Sequence, residues 1–248
     1  MVVLLTVGLS LASRTTQELF LSQQESESAR VFNAAEVGVE DALSQDFDLI
    51  TGTVTLNPDT VADVTTQTTI SPSSTLETQL VEGAAVHLNL QNYNGNFTIN
   101  WARETTCNAD AANNPGAASL LVSIYFEEAG VTKVTHEVLT PCTRTPDDQF
   151  TLVNTAGTNG YYRQRSISVP PTMGGTTLFA RVRAVYADTA LRVTGTGLPT
   201  QFFTIRSAAN TQVGEESRTV EVGRTLSGAP SFMDYAVYSG AGITQDTP

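Results

Sequence analysis

The sequence predicts an α+β fold, in which one long N-terminal α-helix is followed by an antiparallel β-sandwich-like head with one or two lobes. Three observations support this prediction. The first proline is Pro58, apolar residues follow a helical spacing up to Phe47, and the pattern then changes to alternation. We therefore predict a helix over residues 1–47 and a head over residues 48–248, with a seam near 141–160 if the head has two lobes.

The composition narrows the classes of function. The 248 residues carry a formal charge of −12, from 25 acidic and 13 basic residues, and Lys133 is the only lysine. Phosphate backbones repel a chain this acidic, which argues against nucleic acid as a partner. Charged residues make up only 15% of the chain, and much of the polarity comes from Thr, Ser, Asn and Gln. These residues suit the strands and turns of an exported surface.

The first thirteen residues, MVVLLTVGLSLAS, form an almost uninterrupted apolar run. The run is shorter than the roughly 20 residues with which a helix crosses a bilayer. A secretory signal peptide is one interpretation, because Ser10-Leu11-Ala12 resembles a cleavage site, although no cationic stretch precedes the apolar residues. The alternative is that this run is the first part of the long helix.

Residues 14–47 favour continuation of that helix. Apolar residues recur at three- and four-residue steps, which places them on one helical face: Phe32, Ala35, Val39, Ala42, Leu43 and Phe47. A helix over residues 1–47 would be about 70 Å long, which exceeds the diameter of an ordinary domain. Part of its apolar surface must therefore be buried against something other than its own head.

The segment VFNAAEVGVEDAL, residues 31–43, resembles the AFxAAExGxExAL signature in the N-terminal helix of type IV pilins, in particular minor pilins. The resemblance covers about the first 45 residues. It implies a homo-oligomeric helical filament, in which an apolar half-helix anchors each subunit in the membrane and later packs into the filament core. Two features differ from the family: Leu5 stands where members carry a glutamate, and no glycine-ending leader is present. We expect the sequence to begin inside the apolar segment.

The resemblance also suggests which residues serve assembly. The expected helix-packing residues are Val3, Leu4, Leu5, Val7, Leu9, Leu11, Phe32, Ala35, Gly38, Val39, Ala42 and Leu43. Glycine costs a helix interior about 1 kcal/mol relative to alanine, so Gly38 favours close approach of another backbone over mere tolerance. Arg30, Glu36 and Glu40 are candidates for ion pairs with the head or another subunit. A solvated acidic face is the alternative for Glu36 and Glu40.

The rest of the chain predicts strands. Val86–Leu90 and Phe97–Trp101 alternate around Asn94-Gly95, which predicts a β-hairpin, and a second hairpin is predicted over residues 119–127 and 131–140. Residues 46–76 are predicted to be a connector with a strand or two. Further strands are predicted at 149–154, 161–169, 177–186, 201–208, 216–225 and 232–238.

The two cysteines, Cys107 and Cys142, lie 35 positions apart in β-like surroundings. Their number and spacing predict one disulfide in an oxidising compartment and do not match a zinc site. Two free thiols are the alternative.

The sequence offers no catalytic motif and predicts neither an enzyme nor a cofactor. His87 and His136 are the only histidines, and neither belongs to an HExxH motif. The basic and aromatic residues that cluster most strongly form a candidate surface-binding patch: Tyr161, Tyr162, Arg163, Arg165, Arg181 and Arg183. Such residues can hold single-stranded nucleic acid, but the net charge argues against it. Asn96-Phe97-Thr98 matches the glycosylation sequon.

Two classes of function follow from these patterns. The first is a structural subunit of an extracellular, cell-surface pilus-like filament that serves adhesion or surface attachment and is held in the inner membrane before assembly. The second is an exported, membrane-anchored β-sandwich binding module. They differ in the role of residues 14–47, because a simple anchor needs no amphipathic extension of about 50 Å.

Overall fold

A computed structural model describes residues 2–56, 58–61, 63–103, 107, 116–144, 147–169, 176–211 and 216–226. Helix α1 spans Val2–Leu43, and its 42 residues correspond to about 63 Å. The prediction of one continuous N-terminal helix is confirmed, and the helix ends at Leu43, before the predicted position 47. A short 3₁₀-helix, Phe47–Leu49, follows.

The end of α1 is determined by groups that satisfy its last carbonyls. The hydroxyl of Ser44 donates a 2.6 Å hydrogen bond to the carbonyl of Asp41, and Arg224 donates one of 3.2 Å to the carbonyl of Leu43. These partners replace the backbone N–H groups that a longer helix would supply. The Arg224 guanidinium also lies 3.9 Å from the ring centroid of Phe47, directly after the helix.

Among the described residues, fourteen strands follow α1, and most of their pairings are antiparallel. In chain order they are β1 Val54–Thr55, β2 Asp59–Val61, β3 Val64–Ser73, β4 Leu76–Leu80, β5 Ala85–Asn89, β6 Asn96–Trp101, β7 Ser119–Glu128, β8 Val131–Thr140, β9 Thr151–Leu152, β10 Arg163–Ser168, β11 Thr177–Val185, β12 Thr189–Gly195, β13 Phe202–Thr211 and β14 Ser217–Thr225. They form three sheets: β1-β3-β13-β14 with β2 also on β3, β10-β6-β12-β4, and β5-β11-β7-β8-β9.

The chain divides into two compact units. The first, the helix unit, comprises Met1–Pro72 and Phe203–Arg224, and the second, the sandwich unit, comprises Ser73–Phe202 and Thr225–Pro248. The boundaries therefore differ from the predicted ones, because β3 and β13 belong with α1. The segment 141–160, where a seam was predicted, lies inside the sandwich unit.

The sandwich unit is built around one hydrophobic core. Phe97, Ile99 and Trp101 of β6 contribute to this core from one sheet, and Leu120 and Val122 of β7 contribute from another. The Trp101 indole N–H donates a 3.0 Å hydrogen bond to the carbonyl of Ala118, so its polar atom is satisfied inside the core. The apolar side chains of alternate residues thus account for the burial, as the sequence pattern predicts.

The predicted hairpin between Val86–Leu90 and Phe97–Trp101 is wrong. Both strands exist, but β5 pairs with β11 and β6 pairs with β10 and β12, so they belong to different sheets. The connection is held by Tyr93, which is buried and donates a 2.7 Å hydrogen bond to the carbonyl of Asn96. Burying this tyrosine in the core sends the chain across the sandwich instead of back along the same sheet.

The second predicted hairpin is confirmed, since β7 and β8 pair antiparallel from Leu120↔Leu139 to Glu128↔Val131 around Ala129-Gly130. Both turn residues have positive φ, which a two-residue turn of this kind requires. Strand β12 was not predicted, although Leu191 and Val193 alternate with polar residues there. The predicted strand 232–238 lies outside the described residues.

The predicted disulfide is confirmed: Cys107 and Cys142 are bonded, with their Cα atoms 5.4 Å apart. The bond joins the segment after β6 to the end of β8, across a sequence separation of 35 residues.

Replacing both cysteines by serine is expected to lower the free energy of unfolding by about 2–4 kcal/mol, mainly because the unfolded chain gains freedom. Urea denaturation of the wild type and the double variant measures this difference. Intact mass before and after reduction provides the control, and two free thiols in protein taken from the cell surface would contradict the assignment.

Candidate assembly surface

The second half of α1 packs on the sheet of its own unit. Val31 and Ala35 are fully buried and form a cluster with Val64 of β3 and Ala209 of β13. Val39 and Ala42 continue the same stripe and are also buried. Residues at steps of three and four form one face of a helix, so this stripe explains the helical periodicity in the sequence.

Gly38 lies where the helix approaches the sheet closely. A Cβ atom at this position would stand 2.4 Å from Oγ of Ser207, 2.5 Å from Oγ1 of Thr68 and 2.9 Å from Cγ2 of Thr66. The Thr68 hydroxyl donates a buried 3.0 Å hydrogen bond to Ser207, which keeps both polar atoms satisfied beneath the helix. The close approach proposed for Gly38 from the sequence is therefore made with the chain's own sheet.

The predicted helix-packing residues fall into three groups. Ala35, Gly38, Val39 and Ala42 contact their own unit, as described above. Phe32 and Leu43 are exposed. Val3, Leu4, Leu5, Val7, Leu9 and Leu11 lie on the described backbone of α1.

The middle of α1 carries apolar side chains that no described residue covers. Leu19, Phe20 and Leu21 are 61%, 66% and 60% exposed, and every residue from Ser13 to Glu27 is exposed. Further along the helix, the hydroxyl of Ser28 accepts a 2.7 Å hydrogen bond from Arg218 of β14. Single exposed apolar residues are common on protein surfaces, whereas a contiguous group marks an interaction site. Leu19, Phe20 and Leu21 form such a group.

Grooves flank the packed part of the helix. One groove of about 570 Å³ runs beside Arg30, Asn33 and Val37 and is closed on the other side by Leu56 and Thr66. A second groove, of about 520 Å³, runs beside Leu21, Ser28 and Phe32 and is closed by Glu216 and Arg218. Both therefore border the exposed apolar side chains of α1.

The candidate ion-pair residues are solvated. Arg30, Glu36 and Glu40 are exposed, and none of them forms an ion pair with another described residue. Glu36 and Glu40 stand four residues apart with like charges, which mildly destabilises an isolated helix. The assignment of these three residues to contacts with another subunit stays a prediction.

The structure does not bring the six residues of the predicted binding patch together. Arg163 and Arg165 lie on β10, whereas Arg181 and Arg183 lie on β11 in another sheet and are buried. Tyr161 is also buried.

Local contacts occupy the basic groups of β10. Arg163 lies 3.8 Å from the ring centroid of Tyr162 and donates a 3.2 Å hydrogen bond to the carbonyl of Pro141. Arg165 forms a 2.8 Å ion pair with Glu137. The alternation of residues along β10 and β11 explains these residues without a ligand.

His87 stands in a row of stacked rings on the sheet that contains β5, β11 and β7. Its ring centroid lies 4.6 Å from that of Phe179, which in turn lies 4.5 Å from that of Tyr125. Burial, and secondarily the charge of Arg181, lower the pKa of His87 below its usual 6.5. Nδ1 of His87 is buried and has no hydrogen-bond partner among the described residues, so the neutral imidazole is favoured in the fold.

The lowered pKa of His87 predicts a stability that depends on pH. His87 binds a proton more readily in the unfolded chain, near pH 6.5, than in the folded chain. The contribution of the neutral His87 ring to the free energy of unfolding is therefore present above that pH and is lost as the pH falls. We expect the free energy of unfolding to fall less between pH 8 and pH 5 in His87→Phe, which keeps a ring in the stack, than in the wild type. Urea denaturation at the two pH values measures both changes. If the free energy of unfolding fell equally in the variant and the wild type, the assignment would be contradicted.

Comparison with known proteins adds no relative. No model of a known protein family matches the chain, and no curated protein is significantly similar to it in sequence. Among the residues that the structure describes, no helix combines the length and the apolar character that crossing a membrane requires.

Proposed function

We propose that the protein is a structural subunit of an extracellular type IV pilus-like filament. In this proposal α1 packs with the helices of neighbouring copies in the filament core, and the β-rich units face outward and serve adhesion or surface attachment. The subunit is held in the inner membrane through its N-terminal helix before it assembles. The resemblance of residues 31–43 to the signature of minor pilins supports this assignment.

One observation carries the proposal most strongly. Leu19, Phe20 and Leu21 expose three large apolar side chains in succession on a regular helix, and every residue from Ser13 to Glu27 is exposed. Burial of a large apolar side chain contributes about 1.5–3 kcal/mol. Neighbouring copies of the same helix would supply that burial, and in the sequence these residues follow the apolar run of residues 1–13.

The second half of α1, from Val31 to Ala42, has a different role in this proposal. Val31 and Ala35 are buried against the sheet of their own unit, and Val39 and Ala42 are buried on the same face, so this part joins the filament core to the outer part of the subunit. One continuous helix without proline, from Val2 to Leu43, links these two parts of the subunit.

The proposal predicts that Leu19→Gln, Phe20→Gln and Leu21→Gln, combined in the full chain, abolish filaments. Glutamine has nearly the helix propensity of leucine, so α1 should persist while its apolar surface is lost. Electron microscopy of material sheared from cells provides the measurement, and circular dichroism and the Cys107–Cys142 bond report whether the rest of the chain is folded.

A matched control separates assembly from general loss of surface apolarity. Leu49→Gln and Val81→Gln remove side chains that are 77% and 63% exposed but lie outside α1. Their filaments should be normal. Filaments in the triple variant would contradict the assembly role of these three side chains. Wild-type cells without filaments of this protein would instead favour an exported, membrane-anchored β-sandwich binding module, in which α1 serves only as an anchor.

A further inference from the structure

Strand β8 has a long edge that no other described strand pairs with. It pairs with β7 from Val131 to Leu139, but on the other side the two-residue strand β9 pairs only with Leu139 and Thr140. From Val131 to Val138, no other described strand lies beside it. Residues 131–136 are all exposed, including Val131 at 58% and Val134 at 44%.

The backbone of this edge is oriented for pairing. The carbonyl of Thr140 accepts a 2.9 Å hydrogen bond from the N–H of Val153, so the polar groups of Thr140 point away from β7. Backbone groups alternate in direction along a strand. Those of Thr132, Val134, His136 and Val138 therefore also point outward, and a strand edge of this length is a template for another strand.

The charges on β8 select both a partner and a register. Its only formally charged residues at neutral pH are Lys133 and Glu137, which lie symmetrically about Thr135. If two copies of β8 pair antiparallel with Thr135 opposite Thr135, Lys133 of each copy lies opposite Glu137 of the other. Opposite charges and Thr–Thr pairs in directly facing positions stabilise a sheet.

Neighbouring registers lack this complementarity. A shift of the centre to residue 133 places lysine opposite lysine, and a shift to residue 137 places glutamate opposite glutamate. A centre at residue 134 leaves both charges without a partner, because Lys133 then faces Thr135 and Glu137 faces Val131. A centre at residue 136 places residue 133 opposite Leu139, which already pairs with β9. A lysine on an edge strand usually prevents pairing, whereas here Lys133 meets an opposite charge in the register centred on Thr135 and a like charge in the register centred on residue 133.

We propose that β8 is a self-association surface, through which two copies of this chain pair antiparallel over Thr132–Val138 and join their five-stranded sheets. In this register Thr132, Val134, His136 and Val138 exchange backbone hydrogen bonds, and the non-hydrogen-bonded positions carry Lys133, Thr135 and Glu137. Odd-numbered residues face odd-numbered residues of the other copy, and even-numbered residues face even-numbered ones, so facing side chains lie on the same side of the sheet. A two-fold axis perpendicular to the sheet therefore relates the two copies. This pairing does not depend on the filament proposal.

Ion pairs within one chain leave both charged groups available. Lys133 contacts Glu128, and Glu137 accepts a hydrogen bond from Arg165 through Oε1. The ammonium group has three donors and the carboxylate has a second oxygen, so each can also face the second copy. The interface is small beside the roughly 1,600 Å² of a stable complex, so the pair is weak and is best detected by cross-linking.

The full chain in detergent, with Thr135→Cys, tests the register. Facing residues at a non-hydrogen-bonded position have Cα atoms about 4.5 Å apart, within the range of a disulfide. Oxidation should yield a covalent dimer on a non-reducing gel. The matched variant Thr132→Cys should yield none, because the two cysteines would be about 20 Å apart along the strand direction.

Charge variants in the Thr135→Cys background test the partner. Lys133→Glu alone and Glu137→Lys alone should each abolish the dimer. In either variant, residues 133 and 137 carry the same charge, so both facing pairs in the dimer repel each other. A mixture of the two, marked by tags of different mass, should form only the mixed dimer. Equal cross-linking of the two cysteine variants, dimers in either single charge variant, or no dimer in the mixture would each overturn the proposal.

Discussion

Replacing Gly38 by leucine is expected to disrupt the helix unit. The new side chain would have to begin 2.4 Å from Oγ of Ser207 and 2.5 Å from Oγ1 of Thr68, which are held together by their buried hydrogen bond. Overpacking of this kind costs about 1–3 kcal/mol for small insertions and more for a whole side chain. We expect a loss of about 3 kcal/mol or more in the free energy of unfolding, measured by urea denaturation.

Two comparisons isolate the cause. Gly52→Leu should change stability little, because a Cβ atom there meets nothing within 4 Å. Gly38→Ala should destabilise the wild type more than it destabilises the Thr68→Ala/Ser207→Ala variant, since both nearest oxygens and their mutual hydrogen bond are absent from that variant. If Gly38→Leu left stability unchanged but abolished filaments, the glycine would instead face another subunit, as the sequence interpretation held.

Removing residues 1–30 is expected to abolish filaments and to leave the rest of the chain folded. The remaining chain, 31–248, keeps Val31, Ala35 and the rest of the buried stripe, together with every described strand. It loses the exposed apolar residues 19–21 and the hydrogen bond between Ser28 and Arg218, which lies at the surface. Surface hydrogen bonds contribute little net stability.

The shortened chain should therefore be soluble, and circular dichroism should show it to be β-rich. Sedimentation should show a monomer or the dimer formed through β8, and no larger species. Cells that produce only this form should show no filaments of this protein. Filaments built from chain 31–248 would mean that contacts between the β-rich units drive assembly, and the filament role of α1 would have to be abandoned.

The sequence predicts those parts of the fold in which the pattern and the environment agree. Helix α1 follows from the absence of proline and from the spacing of Ala35, Val39 and Ala42, which the structure buries. The hairpin of β7 and β8 follows from two alternating runs around Ala129-Gly130, a turn that only a few residue types accommodate. The disulfide follows because the chain has two cysteines.

Other parts depend on tertiary contacts that local patterns do not reveal. Strand β3 was predicted only as part of a connector, because the buried positions 66 and 68 hold threonines and not apolar residues. Their small side chains fit beneath Gly38, a partner almost thirty residues away in the sequence. Asn94-Gly95 likewise predicts a hairpin locally, whereas burial of Tyr93 places β5 and β6 in different sheets.

The candidate sites show the same limit. The basic and aromatic residues 161–165 and 181–183 form one group in the sequence, but β10 and β11 place them in separate sheets. The register on β8 could be found only after the structure had shown which edge of that strand lacks a neighbour, since alternation alone does not distinguish edge strands from central ones.

Immunoelectron microscopy of filaments sheared from cells tests the central claim most directly. Antibodies raised against the β-rich part of the chain should label filaments along their whole length in cells with the wild-type protein. Label should disappear from filaments when Leu19, Phe20 and Leu21 are replaced by glutamine, while the protein remains present in the cells. Wild-type protein that labels only the cell envelope and no filament would contradict the account.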